Sequence, residues 1–483
     1  MASDASGWYA RLDHECSDRL KQLSVWLDSW EEAVRHRLPI AATLPNHWPT
    51  LPAGLLSDPG AVLEHLLARL EAERDGRSPR GASSTPGRLT ESILADELKN
   101  TRRGVRKAPP ATLSLDAMPP GFRAYAERFN DNVTGGSGDS EIESVNDGLQ
   151  THSGIPLPFA DPAVGGGVVP SRAIRIHIRR SADRNASERR DDTLRLLQGM
   201  QMIDSSEAAV ICTRRRILLV LARAGLVDLD GDGDEARIGR GEVEAVLEGS
   251  VRCADALRGE WPWDEAPRLL VSRPPWLRIK DRFRGHPEGS QMRKDLSREL
   301  RDTKEIDGSL RFAALRGNVN LYRLFLERAL NLVREGGRIR MVVPDALLRE
   351  KSSVALRKLM VEKNEWCSSW SFPEPKRVFS GASQGVLVLG LTVGGSTEMM
   401  TSFGPLGFND VSPKSGLDNR APFLELERGP WSVWTDLAWA VPKMPRDHYM
   451  RRAVLKAIGE LADQPRLGEE GNWLNPNGKP IRV

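Results

Sequence analysis

Leu269–Lys280 reads LLVSRPPWLRIK: an apolar run of strand character breaks into Pro274-Pro275-Trp276, with Arg273 directly before the prolines. Proline has no amide hydrogen and cannot continue a central strand, so the run ends here in a rigid corner carrying an aromatic ring. Well upstream, Asp161-Pro162-Ala163-Val164-Gly165-Gly166-Gly167 follows another apolar run and precedes a helix predicted to begin near Ser171. Glycines at such a strand-to-helix turn allow positive φ and close approach of backbone to a ligand. Taken together, the two segments point to a nucleotide-like cofactor and a planar amine substrate. An ordinary strand-to-helix turn explains the glycines alone equally well.

Outward from these two points, short apolar strands alternate with amphipathic helices from about residue 155 to 395, the pattern of an α/β sheet covered on both faces. The pattern predicts seven strands, at 157–160, 200–203, 250–254, 268–272, 338–343, 367–372 and 385–393. The clearest helices are predicted at 206–223, 320–334 and 352–363, the second closed by Gly336-Gly337. Beyond residue 400 the periodicity weakens, with one helix near 451–462. Upstream, Leu20, Leu23, Trp26, Leu27 and Trp30 lie on one helical stripe, and the breaker-rich stretch 75–84 separates that region from the sheet. Residues 131–154 are polar and glycine-rich and read as a long surface loop. The expected division is a helical region at 1–83, the α/β domain at 84–400 and a further region at 401–483.

Composition narrows the classes. Lys and Arg number 69 against 66 Asp and Glu, a net charge of +3, so affinity for a polyanion has to come from local patches such as Arg214-Arg215-Arg216 rather than from the whole chain. Four cysteines, Cys16, Cys212, Cys253 and Cys367, are far apart and form neither a CxxC pair nor a cluster with histidine. That spacing disfavours a disulfide framework and a zinc site, so no metal is expected and a reducing compartment fits. The sequence shows no run of ~20 apolar residues and no leader-like start, which predicts a cytoplasmic protein without a membrane span. The acidic stretch Asp228–Gly233 begins like a calcium-binding loop, but position 12 of that register is Gly239 instead of a bidentate acid. It reads as an acidic surface turn.

Two acids extend the series. Asp204 ends the second predicted strand, where a carboxylate is placed to accept from ribose hydroxyls or to cap the next helix. Asp255, after the third, is placed to accept from an adenine amino group or, again, to cap. A glycine turn, two acids and the Pro-Pro-Trp corner thus all fall at carboxyl ends of strands, where ligands bind in open α/β sheets. Trp276 reads as a stacking platform for a base or as a core aromatic.

This ordered set resembles the class I S-adenosylmethionine-dependent methyltransferases, and within them the adenine-N6 DNA methyltransferases of type I and type IIG restriction-modification and phage-defence systems. The family's turn Asp-Pro-Ala-x-Gly-x-Gly is matched by Asp161–Gly167, its second acid by Met202-Ile203-Asp204 and its third by Ala254-Asp255-Ala256-Leu257. Asn320–Leu330, Gly336–Pro344, Leu356-Arg357 and Phe379–Gln384 are similar in order and spacing, and Thr85-Pro86 with the helix 89–98 resembles the cofactor-facing segment, with Ser84 in place of its aromatic. The likeness spans about residues 84 to 445.

The resemblance implies a Rossmann-like mixed sheet of seven strands and S-adenosylmethionine as cofactor. Thr85, Pro86, Asp161, Pro162, Ala163, Gly165, Gly167, Asp204 and Asp255 would hold it. It further implies double-stranded DNA as substrate and a flipped adenine lying against Pro274, Pro275 and Trp276. Trp439–Lys443 and Leu467-Gly468 resemble the element preceding a sequence-reading domain, so 401–483 would begin a target-recognition or partner-binding region, with a specificity or defence-complex subunit as partner. In this alignment Arg273 stands at the family's catalytic Asn or Asp. A guanidinium offers five donors and no acceptor, so it cannot draw on the adenine amine, and its charge opposes a positive methyl donor. Ser272 as a substitute lies one residue early, its side chain on the other face of the strand. Three functions are therefore open: an adenine-N6 DNA methyltransferase of impaired activity, a catalytically silent subunit that binds cofactor and DNA, and a protein or RNA methyltransferase. The segment Asn320–Gln384, similar to the DNA enzymes specifically, disfavours the third.

Overall fold

The structure, a computed structural model, describes residues 90, 92–98, 154–205, 207–229, 231–279, 288–305, 308–312, 319–374, 384–412, 416–417, 421–433 and 438–462. Its strands in chain order are β1 Phe159–Asp161, β2 Met200–Asp204, β3 Val227–Asp228, β4 Ile238–Gly239, β5 Val251–Cys253, β6 Leu269–Ser272 and β7 Arg338–Pro344, followed by β8 Asn364–Phe372, β9 Val386–Val393, β10 Met399–Phe403, β11 Val411–Ser412, β12 Gly416–Leu417 and β13 Phe423–Glu427. Nine of them form one sheet in the order β13-β10-β8-β9-β7-β6-β1-β2-β5. The run β5-β2-β1-β6-β7 is parallel throughout. Strand β9 lies antiparallel between β7 and β8. This is a mixed α/β sheet, parallel across β5-β2-β1-β6-β7 and antiparallel at β9.

All seven expected strands are present, but the expected strand count is short by two. β10 pairs parallel with β8, and β13 pairs antiparallel with β10, so the sheet runs on to Glu427. Their sequences, MMTSF and FLELE, are only five residues each and interrupted by polar residues, which hides them from a periodicity reading, and only β13 lies at the sheet's edge. The second predicted helix also ends early, at Leu332. Gly336 (φ 73°) belongs instead to the turn that enters β7, its amide donating to the Val393 carbonyl.

Alternation along the strands sorts side chains into two cores. On β7, Val342 faces one side while Ile339, Met341 and Val343 face the other, and on β9 Val386 and Val388 oppose Leu387, Leu389 and Leu391. The first face is covered by the helices Val168–Arg180, Ala186–Gln198, Glu207–Arg223 and Arg240–Ser250. Helices Leu321–Leu332, Val354–Glu362, Arg428–Val433 and His448–Ala462 cover the second. A third, smaller cluster that includes Ala256, Leu257, Ile279, Phe312, Val319 and Leu321 joins the segments following β5 and β6.

The helical residues 92–98 dock on the first face through Ile93, Leu94 and Leu98. Beneath them Arg340 of β7 lies 3.1 Å from Asp96 and 3.2 Å from Glu97, and its guanidinium stacks 4.7 Å over the Trp370 ring. Arg338 adds a second cation, 3.1 Å from Glu97. A Cβ at Gly390 on neighbouring β9 would sit 2.5 Å from Ser368 Oγ and 3.3 Å from Arg340 Nη1, so that buried strand position has room for glycine alone. Charges so enclosed are tolerated only as a paired set. Among the described residues, no helix is long and apolar enough to cross a membrane.

Candidate functional site

Because β5, β2, β1, β6 and β7 run parallel, their carboxyl ends open on one edge of the sheet, and Asp161, Asp204, Asp255 and Arg273 all fall there. The glycine turn on that edge is held from several directions. Gly165 N–H donates to Asp204 Oδ2 at 2.9 Å. Thr213 Oγ1 donates to the Gly165 carbonyl at 2.9 Å, and Arg216 Nη1 to that of Gly166, also at 2.9 Å. Val164 N–H reaches the Ile203 carbonyl of β2 at 2.9 Å. The two outer glycines do different work. Gly167 (φ 73°) is packed so closely on the helix Glu207–Arg223 that a Cβ would sit 3.0 Å from the Thr213 side chain. A Cβ on Gly165 (φ 53°) would meet no atom within 4 Å, so the turn presents bare backbone to open space there.

Asp161, at the end of β1, is 1% exposed. Its Oδ1 accepts from Ala163 N–H at 3.0 Å and from Ser272 Oγ at 2.7 Å, which ties the glycine turn to the end of β6. Burial pushes the carboxyl up to about 7, against the pull of the Ser272 and Ala163 hydrogen bonds and with a further push from the Asp204 charge. Ser272 is itself buried, with its hydroxyl donating to Asp161.

Asp255 is placed differently. Its Oδ1 accepts from Leu257 N–H at 3.0 Å and Arg258 N–H at 3.1 Å, and its Oδ2 from Arg258 Nε at 2.7 Å. Burial alone raises this carboxyl, but the bonds from the Arg258 side chain and backbone outweigh it and hold the group below the usual carboxylate range. The carboxylate caps its own turn, the alternative the sequence left open. Asp204 is half-buried and spends one oxygen on the glycine turn.

At the corner after β6, Arg273 and Pro275 are exposed, Pro274 is buried and Trp276 is partly buried. The indole N–H donates to the Val342 carbonyl at 3.2 Å, and the ring packs against both sheet cores. The chain beyond it is pinned to the start of the helix Leu321–Leu332 by Leu321 N–H to the Leu277 carbonyl and Ile279 N–H to the Val319 carbonyl. Thr85, Pro86, Leu467 and Gly468 lie outside the described residues, as do 379–383.

Sequence reasoning missed Thr213 and Arg216. Arg214-Arg215-Arg216 reads as a basic patch, yet Arg216 is 1% exposed under the glycine turn, Arg214 donates to the Val251 carbonyl and Arg215 lies 3.8 Å from Glu244. The one available signal was their position on the helix that follows Asp204, one turn apart and within reach of the glycine turn. The acidic stretch, likewise, is turned on itself: Asp234 pairs with Arg237 at 2.9 Å and Asp228 with the same guanidinium at 3.5 Å.

A nucleotide-like methyl donor suits this edge on two grounds: bare backbone at Gly165 with room above it, and a half-buried carboxylate, Asp204, beside that backbone. Asp255 contributes less, both of its oxygens being engaged.

Residues 271–379 match the family described as Eco57I restriction-modification methylase. Among solved structures, the chain is similar to the type IIG restriction endonuclease BpuSI, with 14% identity over 82% of this chain and 37% of that one, at a TM-score of 0.43. It is also similar to the type I restriction enzyme EcoKI M protein (12% identity, 83% and 94% coverage, TM-score 0.37). A third likeness is to a putative class I S-adenosylmethionine-dependent methyltransferase from Listeria monocytogenes (11%, 69% and 79%, 0.28). The chain thus spans 37% of the length of the type IIG enzyme. No curated protein sequence matches it. The match to the Eco57I restriction-modification methylase family thus covers residues 271–379, which begin at the end of β6 and carry the Pro-Pro-Trp corner.

Proposed function

We propose that this chain is the adenine-N6 DNA methyltransferase-like module of a restriction-modification or phage-defence system. It holds S-adenosylmethionine at the glycine turn, meets double-stranded DNA at the same edge, and transfers methyl groups weakly or not at all. Asp161, Pro162, Ala163, Gly165, Gly167 and Asp204 would hold the cofactor, with Thr85 and Pro86 completing the site and Asp255 shaping its rim. The bound cofactor supplies an electrophilic methyl group. What the chain's own residues do is orient: Thr213, Arg216 and Asp204 fix the glycine turn, Ser272 links it to the corner, and Trp276 holds the corner against Val342.

The observation that carries the reading is the pair of neighbours at the end of β6. Ser272 is buried and bonded to Asp161, while Arg273, at the position of the family's catalytic acceptor, is exposed and can only donate. A flipped adenine beside Pro274 would meet a donor at Arg273 and, at Ser272, only a hydroxyl buried against Asp161. The same observation favours a second reading, a silent subunit that binds cofactor and DNA while a partner supplies sequence recognition, residues 401–483 contributing to that contact. Titration calorimetry with S-adenosylmethionine and its demethylated product tests the cofactor claim shared by both readings. Saturable binding at or below millimolar concentration is expected, and none at millimolar cofactor would refute it. DNA binding is expected to be sequence-tolerant and to fall steeply with salt.

A further inference from the structure

The turn that follows Asp255 is gripped from below by a charged device that the cofactor reading does not use. Arg328 Nε donates to the Ala256 carbonyl at 3.1 Å. Arg311 Nη1 donates to the carbonyls of Leu257 at 3.1 Å and Gly259 at 2.8 Å. Both guanidiniums converge on one carboxylate oxygen: Glu305 Oε1 lies 2.6 Å from Arg328 Nη1 and 3.2 Å from Arg311 Nε. The two arginine side chains are 3% and 4% exposed and that of Glu305 is 20% exposed, so water screens the cluster little. Enclosing two guanidiniums is costly unless their hydrogen bonds are made. Here three carbonyls in four residues receive those bonds.

Arg328 belongs to the helix Leu321–Leu332, while Arg311 and Glu305 come from one short segment. It follows the helix Gly289–Asp302 and folds on itself through Lys304 paired with Leu310, Glu305 N–H to the Ser309 carbonyl and Arg311 N–H to the Thr303 carbonyl. Phe312 then enters the small core that also holds Ala256, Leu257, Ile279 and Leu321. One body thus touches the turn after Asp255 and the chain after Trp276.

We propose that Arg311, Arg328 and Glu305 are positioning residues that set cofactor affinity by fixing the Ala256–Gly259 turn. This rests on the reading of the Asp255 edge as the rim of the cofactor site. Lysine at 311 keeps the charge but loses the planar fork that spans two carbonyls and Glu305.

The test compares the full chain, R311K and a control, R298A, whose side chain is 69% exposed on the neighbouring helix. Calorimetry with S-adenosylhomocysteine reads affinity, salt-matched titration with a duplex oligonucleotide reads DNA binding, and hydrogen exchange without ligand reads the amides of Leu257, Arg258 and Gly259. For R311K the expected result is about tenfold weaker cofactor-product binding, the scale of one lost charge-assisted hydrogen bond, with those amides exchanging faster and DNA binding unchanged. R298A should match the parent. Equal affinity in R311K and parent, or unchanged exchange at 257–259, overturns the proposal. If R311K fails to fold, E305Q carries the same readouts with the same expected directions. A parent that binds no cofactor overturns the cofactor reading itself; faster exchange in R311K would then mark the cluster as a support of the fold, and the assignment of affinity to it falls as well.

Discussion

Asp161 is where replacing one atom should produce an effect with a distinctive pH signature. Its carboxyl rises from an ordinary 3.8 to about 7 because it is buried, although Ser272 and Ala163 both donate to it. A carboxyl whose folded-state pKa lies above its unfolded one favours folding most below about 3.8, and that contribution is lost as pH rises through about 7. A gap of about 3 units is worth ~4 kcal/mol in full, at about 1.4 kcal/mol per unit. Integrated over the titration, the penalty on the parent is about 1.5 kcal/mol near pH 5 and about 4 kcal/mol near pH 8.5. Asp161→Asn keeps an acceptor for Ser272 and Ala163 and cannot ionise. Whatever an amide in that place costs, about 1–3 kcal/mol if its N–H₂ finds no partner, is the same at both pH values. The stability of D161N relative to the parent, from urea unfolding, should therefore improve by about 2–3 kcal/mol between about pH 5 and about pH 8.5. A difference independent of pH, or one that moves the other way, would refute the placement of an ionisable, buried carboxyl between β1 and β6.

Gly167→Ala should cost about 2–4 kcal/mol, from the left-handed φ and the contact forced on Thr213. Gly165→Ala, facing open space, should cost only about 1 kcal/mol yet weaken cofactor binding more, and thermal melting beside calorimetry separates the two. Arg340→Met removes the guanidinium that faces both Asp96 and Glu97, leaving Arg338 beside Glu97, and should lose about 3–5 kcal/mol of stability. The triple change R340M/D96N/E97Q should recover most of it, and a triple variant no more stable than R340M would show that the pairing is not what matters.

The α/β alternation was legible because buried strands are short and uniformly apolar, as in LLVS of β6 and VLVLGLTV of β9, and because glycine and proline punctuate their ends. The site's order along the edge was legible for the same reason. What the sequence concealed are interactions made across the fold. No pattern announces that Ser272 will bond a carboxylate 111 residues away, or that Arg216 serves a turn carbonyl while Arg214 serves Val251 and Arg215 faces Glu244. Asp255 shows the opposite limit: position suited both a ligand role and a cap, and only the hydrogen bonds to Leu257 and Arg258 distinguish a carboxylate already occupied. β10 and β13 escaped because each has five residues and Thr401, Ser402, Glu425 and Glu427 break any apolar run in them.

On the proposed function, Arg273 stands where the adenine amine would need an acceptor. Transfer of tritiated methyl groups to duplex DNA by the parent and by Arg273→Asn, assayed with and without a sequence-supplying partner, tests it most directly. The account predicts little or no incorporation by the parent and more by R273N, at adenine. Full activity in the parent, or no incorporation by either form with the partner present, would contradict it.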